Sequence, residues 1–180
     1  MKSKLFKLSS LFTLLLIFTV GCQKDELDNN LILKAEPVDI VDPTISEKLE
    51  NFKAYEFKNF EKNNFQESMN LEIHFGNDYK WNLYLKENIS LTENLESYMT
   101  TDKGTLKVEQ NSKHYMGKLK GNAESNVRVS FYSNKMAGFI YDGNKTYQII
   151  HLKNVSDLMN YPDVMLVCKD SDIIINNVNL

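Results

Sequence analysis

The chain has 180 residues, and 21 lysines and arginines against 24 aspartates and glutamates give it a formal net charge of −3. This acidic balance argues against nucleic-acid binding, which needs a basic stripe facing the phosphates. Only two cysteines are present, Cys22 and Cys168, so a framework of several disulfides is excluded.

The first 21 residues have the parts of an export signal. Lys2, Lys4 and Lys7 form a positively charged start, and residues 11–20 form an apolar run that is too short to span a bilayer comfortably. Gly21 then precedes Cys22. The pattern predicts a signal peptide over residues 1–21.

The Gly-Cys pair at the end of this apolar run resembles the bacterial lipoprotein box. The resemblance implies that the Cys22 thiol receives diacylglycerol, that the signal is cut before it, and that the new amino terminus is acylated, with palmitate as a typical chain. We therefore expect a lipid anchor in the bacterial cell envelope. Gln23 replaces the aspartate that retains many lipoproteins in the inner membrane, which favours the outer membrane. The alternative is an ordinary secretory signal in which Cys22 is incidental.

Cleavage before Cys22 would remove three lysines and change the formal charge from 21 − 24 = −3 to 18 − 24 = −6. Residues 22–43 then form an acidic segment that also contains Pro37 and Pro43. This composition predicts a flexible tether. The run from Leu31 to Val41 has some strand character, but Pro37 argues against a strand there.

The segment after the tether begins with a capping-box pattern, Thr44 to Glu47. It indicates either a short helix over residues 45–54 or a loop that leads into an alternating aromatic strand over residues 55–60.

From residue 69 onward, short runs of alternating apolar and polar residues are separated by turn residues. The strongest hairpin signal surrounds residues 76–78, with Tyr79, Trp81, Leu83 and Leu85 on one face of the second strand. We expect a mainly β domain over residues 44–160, either a single antiparallel β-sandwich or a partly open barrel, with a few short helical turns.

Motifs for catalysis are missing from the sequence. It contains no HExxH helix, no phosphate-binding glycine loop and no GxSxG turn. His74, His114 and His151 are far apart and fall on outward positions or strand ends, so we interpret them as structural or surface residues. We expect no catalytic residue, no metal and no cofactor. The alternative is an enzyme that uses a histidine pair and a carboxylate.

One stretch carries a family resemblance. Its matching positions are His114, Tyr115, Gly117, Gly121, Gly138, Phe139, Tyr147 and Ile149. Together with the upstream strand that begins at Trp81, this pattern resembles the C-terminal half of the propeptide of reprolysin (adamalysin) zinc metalloproteases. The same residues also have a physical interpretation, in which Gly117 and Gly121 allow a bulge and Gly138 allows close approach of two backbones.

The resemblance implies a non-catalytic domain that binds a zinc metalloprotease and keeps it latent, either as the remnant of a zymogen or as an inhibitor or chaperone that acts in trans. Many members of the family carry a cysteine whose thiolate occupies the open zinc position. Cys168, in a C-terminal tail over residues 161–180, falls where that cysteine switch is expected, although Lys169 replaces the usual glycine. The alternatives are a packed, inert thiol and a lipoprotein that binds another envelope protein with no protease link.

Overall fold

The computed structural model describes residues 30–58, 60, 65–90, 97–101, 104–108, 112–156, 158 and 160–174, with backbone alone for 97–101 and 104–108. The predicted signal peptide, Cys22 and the first part of the predicted tether lie outside the described residues. The strands are β1 (Asn30–Pro37), β2 (Lys53–Phe57), β3 (Ser68–Phe75), β4 (Tyr79–Glu87), β5 (Ser97–Thr101), β6 (Gly104–Val108), β7 (Ser112–Leu119), β8 (Asn126–Tyr132), β9 (Lys135–Tyr141), β10 (Thr146–His151) and β11 (Met165–Lys169).

Nine of these strands form a closed barrel in the order β1-β2-β11-β10-β9-β8-β7-β4-β3. All neighbours pair antiparallel except β1 and β3, which pair parallel and close the barrel. Strands β5 and β6 form a separate two-stranded antiparallel sheet. The prediction of a mainly β domain is confirmed, and of the two architectures considered the chain adopts the barrel.

The alternating pattern of the sequence determines which side chains enter the barrel. In β4, Trp81, Leu83 and Leu85 are buried, whereas the residues between them are exposed. Strand β3 is their antiparallel partner across the turn at residues 76–78. The predicted hairpin is therefore confirmed, because a period of two residues places one apolar face inward.

The barrel interior is a packed core rich in aromatic rings, called here the inner core. Phe65 and Phe131 lie 4.7 Å apart between ring centroids at one end of it. At the other end, Tyr79 stacks on Trp81 at 5.2 Å and Tyr147 contacts both rings. Large rings fill the barrel from end to end, and each contributes both apolar burial and ring contacts.

A second apolar cluster, called here the outer core, covers the outside of the barrel over β2, β11 and β10. Its buried members are Ile45, Leu49, Ala54, Ile150, Leu152, Val155, Val164, Leu166 and Cys168, and partly buried apolar residues pack against them. The covering segments are the β1–β2 connection and the residues that follow β10. The barrel wall is thus buried on both faces there. Over β4, β7 and β8, outward residues of the described chain such as Lys86, Lys118 and Arg128 are exposed.

The predicted tether over residues 22–43 is wrong from Asn30 onward, because residues 30–37 form barrel strand β1. Leu33 and Ala35 are each only 3% exposed, whereas Lys34 between them and Glu36 after them are exposed. This alternation outweighs the acidic composition. Pro37 is tolerated because it is the last residue of the strand.

The predicted tail over residues 161–180 is also wrong where it is described, because β11 lies between β2 and β10 in the barrel wall. Met165 and Val167 belong to the inner core, and Leu166 and Cys168 to the outer core. The run is continuously apolar because both faces of this strand are buried. The domain therefore extends beyond residues 44–160 at both ends.

The predicted helix over residues 45–54 is reduced to a single turn, Pro43–Ser46 (α1), capped by Asp42 and not by Thr44. The Asp42 carboxylate accepts hydrogen bonds from the Thr44 backbone N–H (3.0 Å) and the Thr44 hydroxyl (2.8 Å). The Ser156 hydroxyl also donates to Asp42, which fastens this turn to the segment after β10. Within the described residues, no helix has the length and apolar character needed to cross a bilayer.

Candidate functional site

The three histidines lie on three different strands and have different neighbours. His74 Nε2 lies 2.6 Å from Glu72 Oε1 on the outer face of β3. His151, at the end of β10, is 2% exposed, and its Nε2 donates to the Pro162 carbonyl oxygen at 3.0 Å. Burial holds the pKa of His151 below its ordinary value, so the ring is neutral and structural at pH 7.

His114 has the arrangement that most resembles a nucleophilic site, and sequence reasoning missed it. Its Nδ1 lies 2.7 Å from the Oγ of Ser130 on the neighbouring strand β8. Its Nε2 lies 3.2 Å from the Oγ of Ser112, two residues earlier on β7. A serine nucleophile also needs a group that orients the histidine. Among the described residues no carboxylate hydrogen-bonds to His114, and each ring nitrogen already has a serine hydroxyl as its partner.

No group of three or more histidine, cysteine, aspartate or glutamate side chains in the described part of the chain is placed to hold a metal ion. Every buried side-chain nitrogen or oxygen of those residues has a hydrogen-bond partner. The buried polar side chains that the structure describes are therefore all satisfied within the fold.

Cys168 is 1% exposed and packs in the outer core, opposite Gln148 of β10. Burial, with smaller contributions from the charges of Asp172 and Asp170, raises the pKa of its thiol from 9.0 to about 12. This environment agrees with the alternative in which Cys168 is a packed, inert thiol and not a cysteine switch. A cysteine switch would require the thiol to leave the barrel wall.

We expect the Cys168 thiol to be almost unreactive in the folded protein. In a Cys22→Ser variant Cys168 is the only thiol, and its thiolate fraction at pH 8 falls about a thousandfold on folding when its pKa rises from 9.0 to about 12. Alkylation by iodoacetamide is therefore expected to be at least about a hundredfold slower in buffer than in urea. Rapid, stoichiometric labelling of the folded protein would show that the thiol is accessible.

The residues of the reprolysin-like motif lie on three strands of one part of the barrel wall, with β8 between the first and the second of them. His114, Tyr115 and Gly117 are on β7, Gly138 and Phe139 on β9, and Tyr147 and Ile149 on β10, with Gly121 in the turn after β7. The Tyr115 hydroxyl donates to the Gln66 carbonyl at 3.0 Å.

Two of the motif glycines are required by close backbone contacts. A Cβ on Gly117 would lie 1.9 Å from the Tyr84 carbonyl oxygen, and one on Gly138 would lie 2.1 Å from the Arg128 carbonyl oxygen. The predicted close approach at Gly138 is therefore confirmed. These glycines are explained by the fold alone.

A shallow polar groove crosses the open outer face of the barrel, and we call it the outer groove. It has a volume of about 150 Å³, and its polar lining comes from β1, β3, β4 and the residue after β7: Asn30, Asn70, Glu72, Asn82 and Lys120. The buried residues Leu71 and Leu83 complete the lining. Strand register places Asn30 beside Asn70 and Glu72 beside Asn82, which brings together residues up to 120 − 30 = 90 positions apart.

Glu72 is the charged centre of this face. Its Oε1 accepts hydrogen bonds from Lys80 Nζ at 2.7 Å and His74 Nε2 at 2.6 Å. The bond from Lys80, followed by that from His74, holds the pKa of Glu72 below its ordinary value. Glu72 is therefore ionised at neutral pH and keeps free lone pairs for another donor.

Tyr84 follows the groove residue Asn82 by two positions on the outward face of β4. Tyr84 lies directly opposite Asn70 on β3 and Lys118 on β7, and it is 51% exposed. An aromatic side chain exposed to this degree on a strand gains little from packing in the fold, so its flat face is available to a ligand.

The remainder of this outer face is basic. Lys86, Lys118 and Arg128 are exposed at outward positions of β4, β7 and β8. Within the described residues, none of the three forms an ion pair. The face therefore carries local positive charge on a chain that is acidic overall.

No protein-family model and no curated protein sequence matches this chain. The likeness to reprolysin propeptides therefore rests on the sequence motif alone.

Proposed function

We propose that this protein is a non-catalytic, lipid-anchored β-barrel domain of the bacterial cell envelope, attached through Cys22, that binds another component of the envelope through its outer surface. The observation that carries the proposal is the contrast between the engaged reactive residues and the open polar groove. His114, His151 and Cys168 are held within the fold, whereas in the outer groove the side chains of Asn30, Asn82 and Lys120 form no hydrogen bond or ion pair with the described residues.

The connection between the anchor and the barrel supports this arrangement. Eight peptide units separate Cys22 from Asn30 (30 − 22), so the tether reaches at most about 29 Å. It joins the barrel at the end where β1 begins, and the turns at residues 76–78, 120–125 and 142–145 lie at the opposite end. The barrel is thus held near the lipid surface with its outer face free. Gln23 favours the outer membrane for this anchor.

Fractionation of cells that express the full chain or its Cys22→Ser variant tests the proposal. The domain is expected at the membrane in the first case and free of it in the second.

A second candidate is that the component bound is a zinc metalloprotease, which the domain keeps latent. It is favoured by the continuity of the motif, since the matching residues fall on β4, β7, β9 and β10, which together with β8 form one continuous part of the barrel wall. Because Cys168 is buried, latency would depend on surface contact and not on a thiolate bound to the zinc.

Mixing the protein with a metalloprotease tests whether the domain keeps such an enzyme latent. If the domain keeps a metalloprotease latent, adding the detergent-solubilised full chain to a reprolysin-type catalytic domain should lower the rate of peptide hydrolysis in proportion to the amount added. A boiled sample of the same protein serves as the control. An unchanged rate at a large excess of the domain would eliminate inhibition in trans.

A further inference from the structure

We propose that the outer groove is a binding site for a glycan strand of the envelope, with Tyr84 stacking on a sugar ring while Asn82, Asn30 and Lys120 bond to hydroxyl or acetamido groups. This inference rests on the proposed function, because it names the envelope component that the anchored domain binds.

The composition of the groove indicates the class of ligand. Sites for apolar small molecules are mostly hydrophobic and enclosed, whereas this groove is shallow and lined by three amides, one carboxylate and one ammonium group. An amide offers two donors and an acceptor, so a row of amides matches a ligand with many neighbouring hydroxyl and amide groups. Polysaccharides have this chemistry.

Several of these groups have no partner in the fold. Among the described residues, the side chains of Asn30, Asn82 and Lys120 make no hydrogen bond or ion pair. The Lys120 backbone N–H donates to the Asn82 carbonyl at 2.7 Å, which fixes the two residues side by side. The donors of these three side chains are therefore not used within the part of the fold that the structure describes.

Tyr84 supplies the apolar part of the site. It is two residues after Asn82 on the same strand face and opposite Asn70, which places it next to the polar row. The C–H face of a sugar ring packs on such an aromatic face while the hydroxyls around it form hydrogen bonds. The pairing of an exposed ring with amides fits a sugar better than it fits an anionic headgroup.

The position of the groove also suits a glycan. Asn30 is the first described residue of β1, which places one end of the groove within about 29 Å of the predicted lipid anchor. A shallow groove on a sheet face leaves both ends of a ligand free, as a polymer requires.

The test is co-sedimentation of the full-chain protein in detergent with insoluble glycans. Peptidoglycan sacculi and chitin, both rich in acetamido sugars, are compared with cellulose, which has hydroxyls alone. We expect binding to at least one of the three, and the ranking identifies the source of the ligand. Tyr84→Ala, and separately Asn82→Ala combined with Lys120→Ala, should each weaken the apparent affinity about tenfold.

The matched control is Asn126→Ala combined with Lys86→Ala. Both residues are exposed at outward positions of the same sheet but lie outside the groove, so the control should bind as the wild type does. The midpoint of urea unfolding is measured for every variant by the fluorescence of Trp81. Equal midpoints show that the differences in sedimentation arise from binding and not from folding.

Three outcomes would overturn the inference: no sedimentation with any of the glycans, equal binding by wild type and groove variants, or equal loss in the control. Salt-sensitive binding to phosphatidylglycerol vesicles alone would instead identify the basic residues Lys86, Lys118 and Arg128 as the contact surface. Membrane fractionation distinguishes failure of the glycan inference from failure of the proposed lipid anchor. An anchored protein that binds no glycan refutes the inference and leaves the anchor proposal standing.

Discussion

Replacing Gly138 with alanine should destabilise the barrel strongly, and more than the same replacement at Gly121. Gly138 has a φ of +139°, which an L side chain rarely adopts, and its Cβ would lie 2.1 Å from the Arg128 carbonyl oxygen and 2.9 Å from the Val129 Cα. Overpacking costs about 1–3 kcal/mol, and backbone strain adds about 1–3 kcal/mol. The expected loss of about 2–6 kcal/mol is a large part of the roughly 5–15 kcal/mol that stabilises a typical domain.

Gly121→Ala is the matched control. Gly121 also has a positive φ, +81°, but no heavy atom lies within 4 Å of the position its Cβ would take, so only the backbone strain of about 1–2 kcal/mol remains. Urea unfolding followed by the fluorescence of Trp81, the only tryptophan and 8% exposed, measures both variants. If Gly138→Ala were no less stable than Gly121→Ala, the close approach of β8 and β9 would be wrong.

Replacing Cys22 with serine should release the protein from the membrane almost completely. Each buried methylene contributes about 0.8 kcal/mol, and a protein with two or more acyl chains stays bound, whereas a chain without them has no comparable anchor. Incorporation of labelled palmitate and the distribution between membrane and soluble fractions are the measurements. The wild type is expected in the membrane with label, and the variant in the soluble fraction without it.

Cys168→Ser is the control for the anchor, since it removes the other thiol and leaves the lipoprotein pattern intact. It should remain labelled and membrane-bound if it folds, and its resistance to proteolysis after extraction in detergent reports its folding. A Cys22→Ser protein that still sediments entirely with membranes would refute the anchor and with it the proposed placement of the barrel.

The sequence was informative where one face of a strand is buried and the other is solvated. The alternation in β4 predicted both the strand and its buried residues, because its period of two residues is visible without knowledge of its neighbours. β1 and β11 did not give that signal. Acidic residues and Pro37 concealed β1, and β11 is apolar on both faces because the outer core covers it.

The outer groove was not predictable from the sequence. Asn30, Asn82 and Lys120 belong to three separate segments, and only the parallel pairing of β1 with β3 and the registers of β4 with β3 and β7 bring them together. The contact of His114 with Ser130 depends in the same way on the register of β7 with β8. Local patterns give a residue's face, but long-range pairing decides which residues share a site.

The placement of β11 between β2 and β10 has a consequence for the biogenesis of the protein. The wall cannot close until residues 165–169 have been synthesised. They then pair with β10 on one side and, on the other, with β2, which lies much earlier in the chain. Folding of such a topology is slow, since it depends on contacts between distant parts of the chain. If residues 1–21 direct export as predicted, a chain that cannot complete its barrel would stay extended while it is threaded through a secretion channel, and it would gain its full stability only after β11 has crossed.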